Sequence, residues 1–180
     1  MSFLPPLVGF DAIERPDLNR CLIAWDHKMG AWERAENFPE WLHGMRHNGD
    51  LVGVLASAAL IRERVAGFNR SEAIELGRVC AARPALCRAI VRLWREFVFP
   101  AICAAHGYSW VISYQDAVEH TGGLYRFDGW IKLGVSSSGT DPRGGRSGRR
   151  KVIWGFSHDT EAMAARVRGD TPRYSVEAAA

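Results

Sequence analysis

Residues 108–134 read YSWVISYQDAVEHTGGLYRFDGWIKLG and gather the residue types that move protons. A carboxylate (Asp116), an imidazole (His120) and a phenol (Tyr125) fall within ten positions of one another. Such groups accept a proton from a nucleophile or return one to a leaving group. Trp110, Val111 and Ile112 predict a strand, which Ser113, Tyr114, Gln115 and Asp116 close with polar side chains. A strand ending this way delivers its side chains to one edge of a sheet, where ligand sites form. Gly122 and Gly123 allow a tight turn before Leu124, and 130–133 is a second apolar run. The alternative is a surface loop between two buried strands, in which Asp116 only caps a helix and Tyr125 only packs.

These residues need a scaffold. With 180 residues and 47% hydrophobic content, the chain fits a single domain with a sizeable core. Charged residues make up 24% and the formal net charge is +3, which argues only weakly for an anionic partner. The four cysteines, Cys21, Cys80, Cys87 and Cys103, have irregular spacing and no CxxC pair. Reduced thiols in a cytoplasmic protein are therefore expected, and no residue is assigned as a metal ligand. The first ten residues hold two prolines and no cation, and no run of about 18 uncharged apolar residues occurs. Neither secretion nor membrane insertion is expected.

In chain order, Leu7, Val8, Phe10 and Ile13 predict a first strand. Pro16 and Asp17 open a short helix with Leu18, Leu22 and Trp25 at helical spacing, running to Gly30. His27, near its end, reads by itself as a helix-end cation or a packed side chain. Residues 40–57 form a hairpin about Asn48-Gly49, with a second strand apolar enough to be covered on both faces. A charged connection at 61–70 leads to a third apolar strand, 73–81, interrupted by Glu75 and Arg78. Arg83-Pro84 then starts a long helix whose Leu86, Ile90, Leu93 and Phe97 make one apolar stripe. Arg92 and Arg95 on its opposite face read as solvated, whereas Arg83 and Arg88 stand by a first turn whose N–H groups suit an anion. Pro100 is expected to end or kink this helix, which resumes towards Gly107.

Hairpin first and strand-helix-strand second predict an α/β domain with a mixed antiparallel/parallel sheet flanked by helices. In it, 73–81 and 109–114 are adjacent parallel strands. Residues 136–151 carry Arg143, Arg146, Arg149, Arg150 and Lys151 among serines and glycines, a basic loop or long hairpin tip. The chain re-enters the fold at 152–156 and then makes at least a turn of helix at 160–167.

ELGRV at 75–79, VISYQD at 111–116 and GGLYRFDGW at 122–130 carry a resemblance. Spanning about residues 17–156, the chain resembles the GNAT acyltransferase superfamily, and within it the Mom family of phage DNA adenine-modification proteins. The resemblance implies a GNAT-like transferase domain over 1–158 with a tail at 159–180. It implies a catalytic set of Arg78, Asp116, Tyr125 and His27, with Asp116 as base or acceptor and Tyr125 as proton donor to the leaving group. It also implies acetyl-CoA or another acyl donor beside Cys80, Ala81, Arg83 and Arg88. The spaced glycines of the usual acyl-CoA turn are absent from 80–88. Three functions are open: modification of an adenine amino group in DNA, with the basic loop tracking phosphates; N-acetylation of a small-molecule or protein amine; or a non-catalytic nucleic-acid-binding module. For the loop itself the alternatives are contact with nucleic-acid phosphates, contact with the phosphates of a nucleotide-containing donor, or solubility alone.

Overall fold

Asn48 and Gly49 take positive φ angles of 53° and 94°, as a two-residue hairpin turn requires, and join β2 (Glu40–His47) to β3 (Asp50–Ala59). The computed structural model describes residues 8–136 and 151–169. To this hairpin are added β1 (Val8–Ala12), β6 (Ala73–Ala81), β7 (Trp110–Asp116), β8 (Ile131–Val135) and β9 (Lys151–Phe156), in a seven-stranded sheet ordered β1-β2-β3-β6-β7-β9-β8. The charged connection forms a separate small hairpin, β4 (Arg64–Val65) with β5 (Phe68–Asn69). β1, β2 and β3 pair antiparallel, as do β7, β9 and β8. Ala82 N–H donates to Val52 O, so the end of β6 meets the start of β3 and that pair is antiparallel. Ser109 and Trp110 N–H both donate to Glu72 O, at 3.0 and 3.1 Å, so β6 and β7 start together and run parallel. The mixed sheet expected from the sequence is thus present.

Contacts divide the chain into two compact units, one comprising the chain up to Ala59 with Leu76–Ala105, the other Leu60–Glu75 with the chain from His106. In the first, α1 (Arg15–Ala24) stops well before Gly30, because Asp26 adopts a left-handed φ of 50° that a helix cannot continue through. Leu18, Cys21 and Leu22 of α1 join Val54, Ala56 and Ala58 of β3 in one core. On the other face of β3 a Cβ at Gly53 would stand 3.3 Å from Ile90 Cδ1, so helix also lies there. The apolar second strand is therefore covered twice, as its composition demands.

The long helix departs from expectation in an instructive way. It opens as a 3₁₀ turn (Pro84–Leu86), continues as α2 (Cys87–Leu93), widens to a π turn (Trp94–Val98) and resumes as α3 (Phe99–His106). Phe99 N–H bonds Trp94 O, five residues back. This wide turn precedes Pro100, which has no N–H to give and whose ring would press on the carbonyl of Glu96 in an α-helix. Pro100 consequently sits inside continuous helix rather than ending it. The extra residue also rotates the stripe: Ile90, Val91, Trp94, Phe99 and Ile102 are buried, while Phe97 is 71% exposed. Arg95 turns inward instead, with its side chain only 13% exposed and paired to Glu96.

In the second unit, Trp110, Ile112 and Ile153 pack with Leu60, Val65, Phe68 and Ala73. Over them lies α5 (Thr160–Arg168), capped by Asp159 accepting from Ala162 N–H and ended by Gly169 at φ 84°. Arg166 pins it by lying 4.6 Å over the Phe68 ring and donating to Ala66 O. Among the described residues no helix is long and apolar enough to cross a membrane.

Two predictions follow from the first unit. A Cβ at Gly44 would lie 2.4 Å from Leu51 Cδ2 and 2.9 Å from the stiff Ile13 Cγ2. Gly44→Ala should cost about 1–2 kcal/mol in chemical denaturation through overpacking, against no comparable loss for Gly134→Ala; at Gly134 no heavy atom lies within 4 Å. The His43 ring lies tilted beside Phe10, with its Nδ1 buried and without a hydrogen-bond partner, and burial holds its pKa below the ordinary 6.5 although Asp11 pulls the other way. Below about pH 6.5 the unfolded chain takes up a proton that the folded chain resists, so stability must fall as pH drops through that region. Melting curves between pH 7.5 and 5 should show a steeper loss for the wild type than for His43→Gln.

Candidate functional site

Along β7 successive side chains alternate between the two faces of the sheet, and the register with β9 sorts them. Val111↔Phe156, Ser113↔Trp154 and Gln115↔Val152 share one face, while Ile112↔Gly155, Tyr114↔Ile153 and Asp116↔Lys151 share the other. On the first face Ser113 and Gln115 are 2% and 6% exposed, so both polar groups need partners inside. They have them. Ser113 Oγ lies 2.8 Å from the Tyr125 hydroxyl, which comes from the short helix α4 (Gly123–Arg126). Gln115 Oε1 accepts from Trp154 Nε1 at 2.6 Å, and its Nε2 donates to His120 O. The Trp154 ring in turn stacks on Tyr125 with centroids 5.7 Å apart, and Trp130 meets Tyr125 edge-on at 5.3 Å. Tyr125 is buried, with its phenol fixed at the hydroxyl by Ser113 and on the ring by two indoles.

Gly122 makes this arrangement possible. It caps α4 at φ 77°, ψ 8°, and a Cβ there would stand 2.6 Å from Gln115 Oε1 and 3.0 Å from Trp154 Cζ2. Both the left-handed backbone and the close approach call for glycine.

Asp116 lies on the opposite face of β7, opposite Lys151 on β9. Its Oδ1 accepts from Val118 N–H at 3.1 Å, and its carbonyl accepts from the N–H groups of Glu119 and His120. It thereby shapes the turn that presents the His120 carbonyl to Gln115, while the His120 side chain is exposed. Lys151 closes the β8–β9 hairpin, its N–H donating to Ser136 Oγ and its carbonyl accepting from Ser136 N–H. Arg143, Arg146, Arg149 and Arg150 lie outside the described residues.

The other expected residues belong to the first unit. Arg78, on β6, donates from Nη1 to Gly77 O and places its guanidinium 5.2 Å from the centroid of Trp32. Arg34 lies 4.9 Å from the same ring, whose Nε1 donates to Glu40 Oε2 at 2.7 Å. Arg15 completes the cluster through Glu40 Oε1 at 2.8 Å. His27 closes the turn after α1: its N–H donates to Leu22 O and its Nδ1 accepts from Met29 N–H. Cys80 and Ala81 are buried at the end of β6. Arg83 and Arg88 are exposed about the first helical turn, in which Leu86 N–H is taken by Arg83 O and Cys87 N–H by Pro84 O. Burial raises the pKa of Cys21, Cys80, Cys87 and Cys103, that of Cys87 to about 11. A shallow recess of about 530 Å³ lined by residues 12–15 and 40–43 contains none of the expected site residues. Among the described residues no group of three or more His, Cys, Asp or Glu stands where it could hold a metal ion.

Sequence reasoning assigned no role to Ser113, Gln115, Trp154 or Trp32. For the first two a signal existed: two polar residues spaced by two in a strand otherwise fit for burial mark one face as carrying a partner. Trp154 gave none, since Gln115 lies 39 positions away in sequence.

No family model matches the chain, and no curated protein matches it in sequence. Solved structures do match in shape. The ribosomal-protein-S5-alanine acetyltransferase from Vibrio fischeri superposes with a TM-score of 0.58 at 10% identity, over 89% of this chain and 98% of that one. The spermidine N-acetyltransferase from Vibrio cholerae, in complex with CoA and spermine, gives 0.58 at 12% identity, over 83% and 95%. The aminoglycoside 6'-N-acetyltransferase from Enterococcus faecium gives 0.56 at 11% identity, over 82% and 96%. The fold is that of the GNAT acetyltransferases. At such identities the likeness carries the GNAT fold alone, and the chemistry rests on this chain's own side chains.

Gly122→Ala should therefore disturb the site in a defined manner. Backbone strain and the contact with Gln115 and Trp154 together predict a loss of roughly 2 kcal/mol in denaturant unfolding. The near-ultraviolet dichroism of the stacked aromatics should weaken at the same time, because the Gln115–Trp154 bond must shift.

Proposed function

We propose that this protein is a GNAT-type N-acyltransferase that moves the acyl group of an acyl-CoA thioester to the amino group of a small molecule or a protein. The observation that carries this reading is the Tyr125 hydroxyl, held at 2.8 Å by Ser113 in a fold shared with acetyltransferases. In such a transfer the amine nitrogen attacks the thioester carbon, the C–N bond forms and the C–S bond breaks. The amine loses a proton, and the departing thiolate needs one. A phenol is protonated at neutral pH and has a proton to give, and Tyr125 is assigned as that donor. Asp116 is assigned to the turn it holds, since it faces away from Tyr125 on β7.

A route through an acylated cysteine has no support. Buried thiols with raised pKa values stay protonated and are weak nucleophiles, which favours direct attack of the amine on the donor. Arg83 and Arg88 expose guanidiniums of a kind that suits phosphate groups. With the Leu86 and Cys87 N–H groups already engaged and no glycine at 80–88, these cations supply the electrostatic attraction there. As for the acceptor, the similar structures are by name acetyltransferases of protein alanine, spermidine and aminoglycosides, which favours an amine over adenine in DNA.

The test is CoA thiol release from acetyl-CoA in the presence of spermidine, an aminoglycoside, an alanine-terminated peptide or duplex DNA. Transfer to one of the three amines is expected, with Tyr125→Phe lowering kcat on the order of 100-fold while KM for acetyl-CoA stays within about twofold. Wild-type turnover in Tyr125→Phe would remove the proton-donor role, and acetylated adenine in the recovered DNA would reinstate the nucleic-acid reading.

A further inference from the structure

Ser113 has the geometry of a group that acts on Tyr125 rather than on substrate. It is 2% exposed, lies on a central strand, and places Oγ 2.8 Å from the phenol oxygen. The ring it addresses is independently held: Trp154 stacks on it, and Gln115 fixes Trp154 through a 2.6 Å bond. With the ring fixed, the phenol oxygen stays within reach of Ser113 whatever its protonation state. A serine hydroxyl rotates, so it accepts from a neutral phenol and donates to a phenolate.

We propose that Ser113 is a positioning residue for proton donation by Tyr125, stabilising the phenolate that remains after the proton has gone to the leaving sulfur. This rests on the assignment of Tyr125 as the donor. The O–H bond of the phenol breaks, an S–H bond forms on the departing thiolate, and the charge left on the Tyr125 oxygen is met by the Ser113 O–H. The proton lost by the attacking amine passes to solvent, and solvent returns one to the phenolate. A hydrogen bond to an ionised oxygen is about twice as strong as one to a neutral oxygen, so Ser113 favours the ionised state over the neutral one. Removing its hydroxyl must push the phenol titration to higher pH and slow the step in which the phenol gives up its proton.

The experiment uses the full chain carrying ¹³Cζ-labelled tyrosine, titrated by NMR without ligand. Tyr125→Phe identifies the Tyr125 signal by its disappearance. In Ser113→Ala that signal should titrate at higher pH than in the wild type, and Ser113→Thr, which keeps a hydroxyl, should restore it. With acetyl-CoA and the amine accepted by the wild type, Ser113→Ala should lower kcat about tenfold with KM within about twofold, and Ser113→Thr should recover most of the rate. A purely structural serine would move neither the titration nor the kcat-against-KM split. An unmoved titration in Ser113→Ala overturns the proposal. If Tyr125→Phe turns over at the wild-type rate, the donor assignment beneath it falls; if Tyr125→Phe is slow and Ser113→Ala is fast, only the role of Ser113 falls.

Discussion

The pairing of Ser113 with Trp154 across β7 and β9 is the constraint on which the second unit depends. Because side chains alternate with a period of two, this one register decides the contents of both faces at once. It sends Trp110, Ile112 and Ile153 to the core under α5, and Ser113, Gln115, Trp154 and Phe156 to the side that receives α4. A slip by one residue would put the serine and glutamine into the apolar core and set isoleucines where Tyr125, Trp154 and the His120 carbonyl need polar partners. Burial of the aliphatic face therefore fixes where the polar face points, and the hydroxyl and amide found there are satisfied by Tyr125, Trp154 and the His120 carbonyl. The hydrophobic effect orders this site; the hydrogen bonds then specify it.

The first unit is governed by a comparable need, to cover β3 on both sides. Small residues at Ala56 and Ala58 admit α1 closely on one face, and the absence of a side chain at Gly53 leaves room for Ile90 on the other. Its polar cluster is organised around an aromatic ring. Trp32 anchors through Glu40, and the guanidiniums of Arg34 and Arg78 lie near its indole, so an arginine on the central strand directs part of its interaction to a tryptophan. A similar economy appears at α5, where Arg166 uses the Phe68 ring.

Much of this was legible in the residues. Asn48-Gly49, the apolar run at 73–81 and the strand-helix-strand order gave the hairpin, the central strand and the parallel pair, because each is a local signal with a local cause. Tyr125 stood out by its residue type and by the glycines before it. Trp154 gave no such signal, because it stands on β9, far along the chain from Tyr125. Asp116 adjoins Gln115 in sequence, but side chains alternate along a strand, so the two lie on opposite faces of β7. The stripe of the long helix was read with a single 3.6-residue period, and the period changes at Trp94–Val98. Ahead of Pro100 a widened turn is one way for a helix to survive, but sequence alone does not say whether it widens, bends or stops.

That widened turn also bears on how the chain tolerates changes of length. A π turn is an α turn holding one additional residue, so α2 and α3 are already out of phase with each other by one position. Loss of one residue from the segment would bring them into a common phase, with Phe99 four positions after Trp94 and still on the buried face, and press the ring of Pro100 onto the carbonyl one turn behind it. The segment thus acts as a phase boundary: shifts upstream of it need not propagate into α3, and the proline penalises the removal of the very residue that makes the boundary.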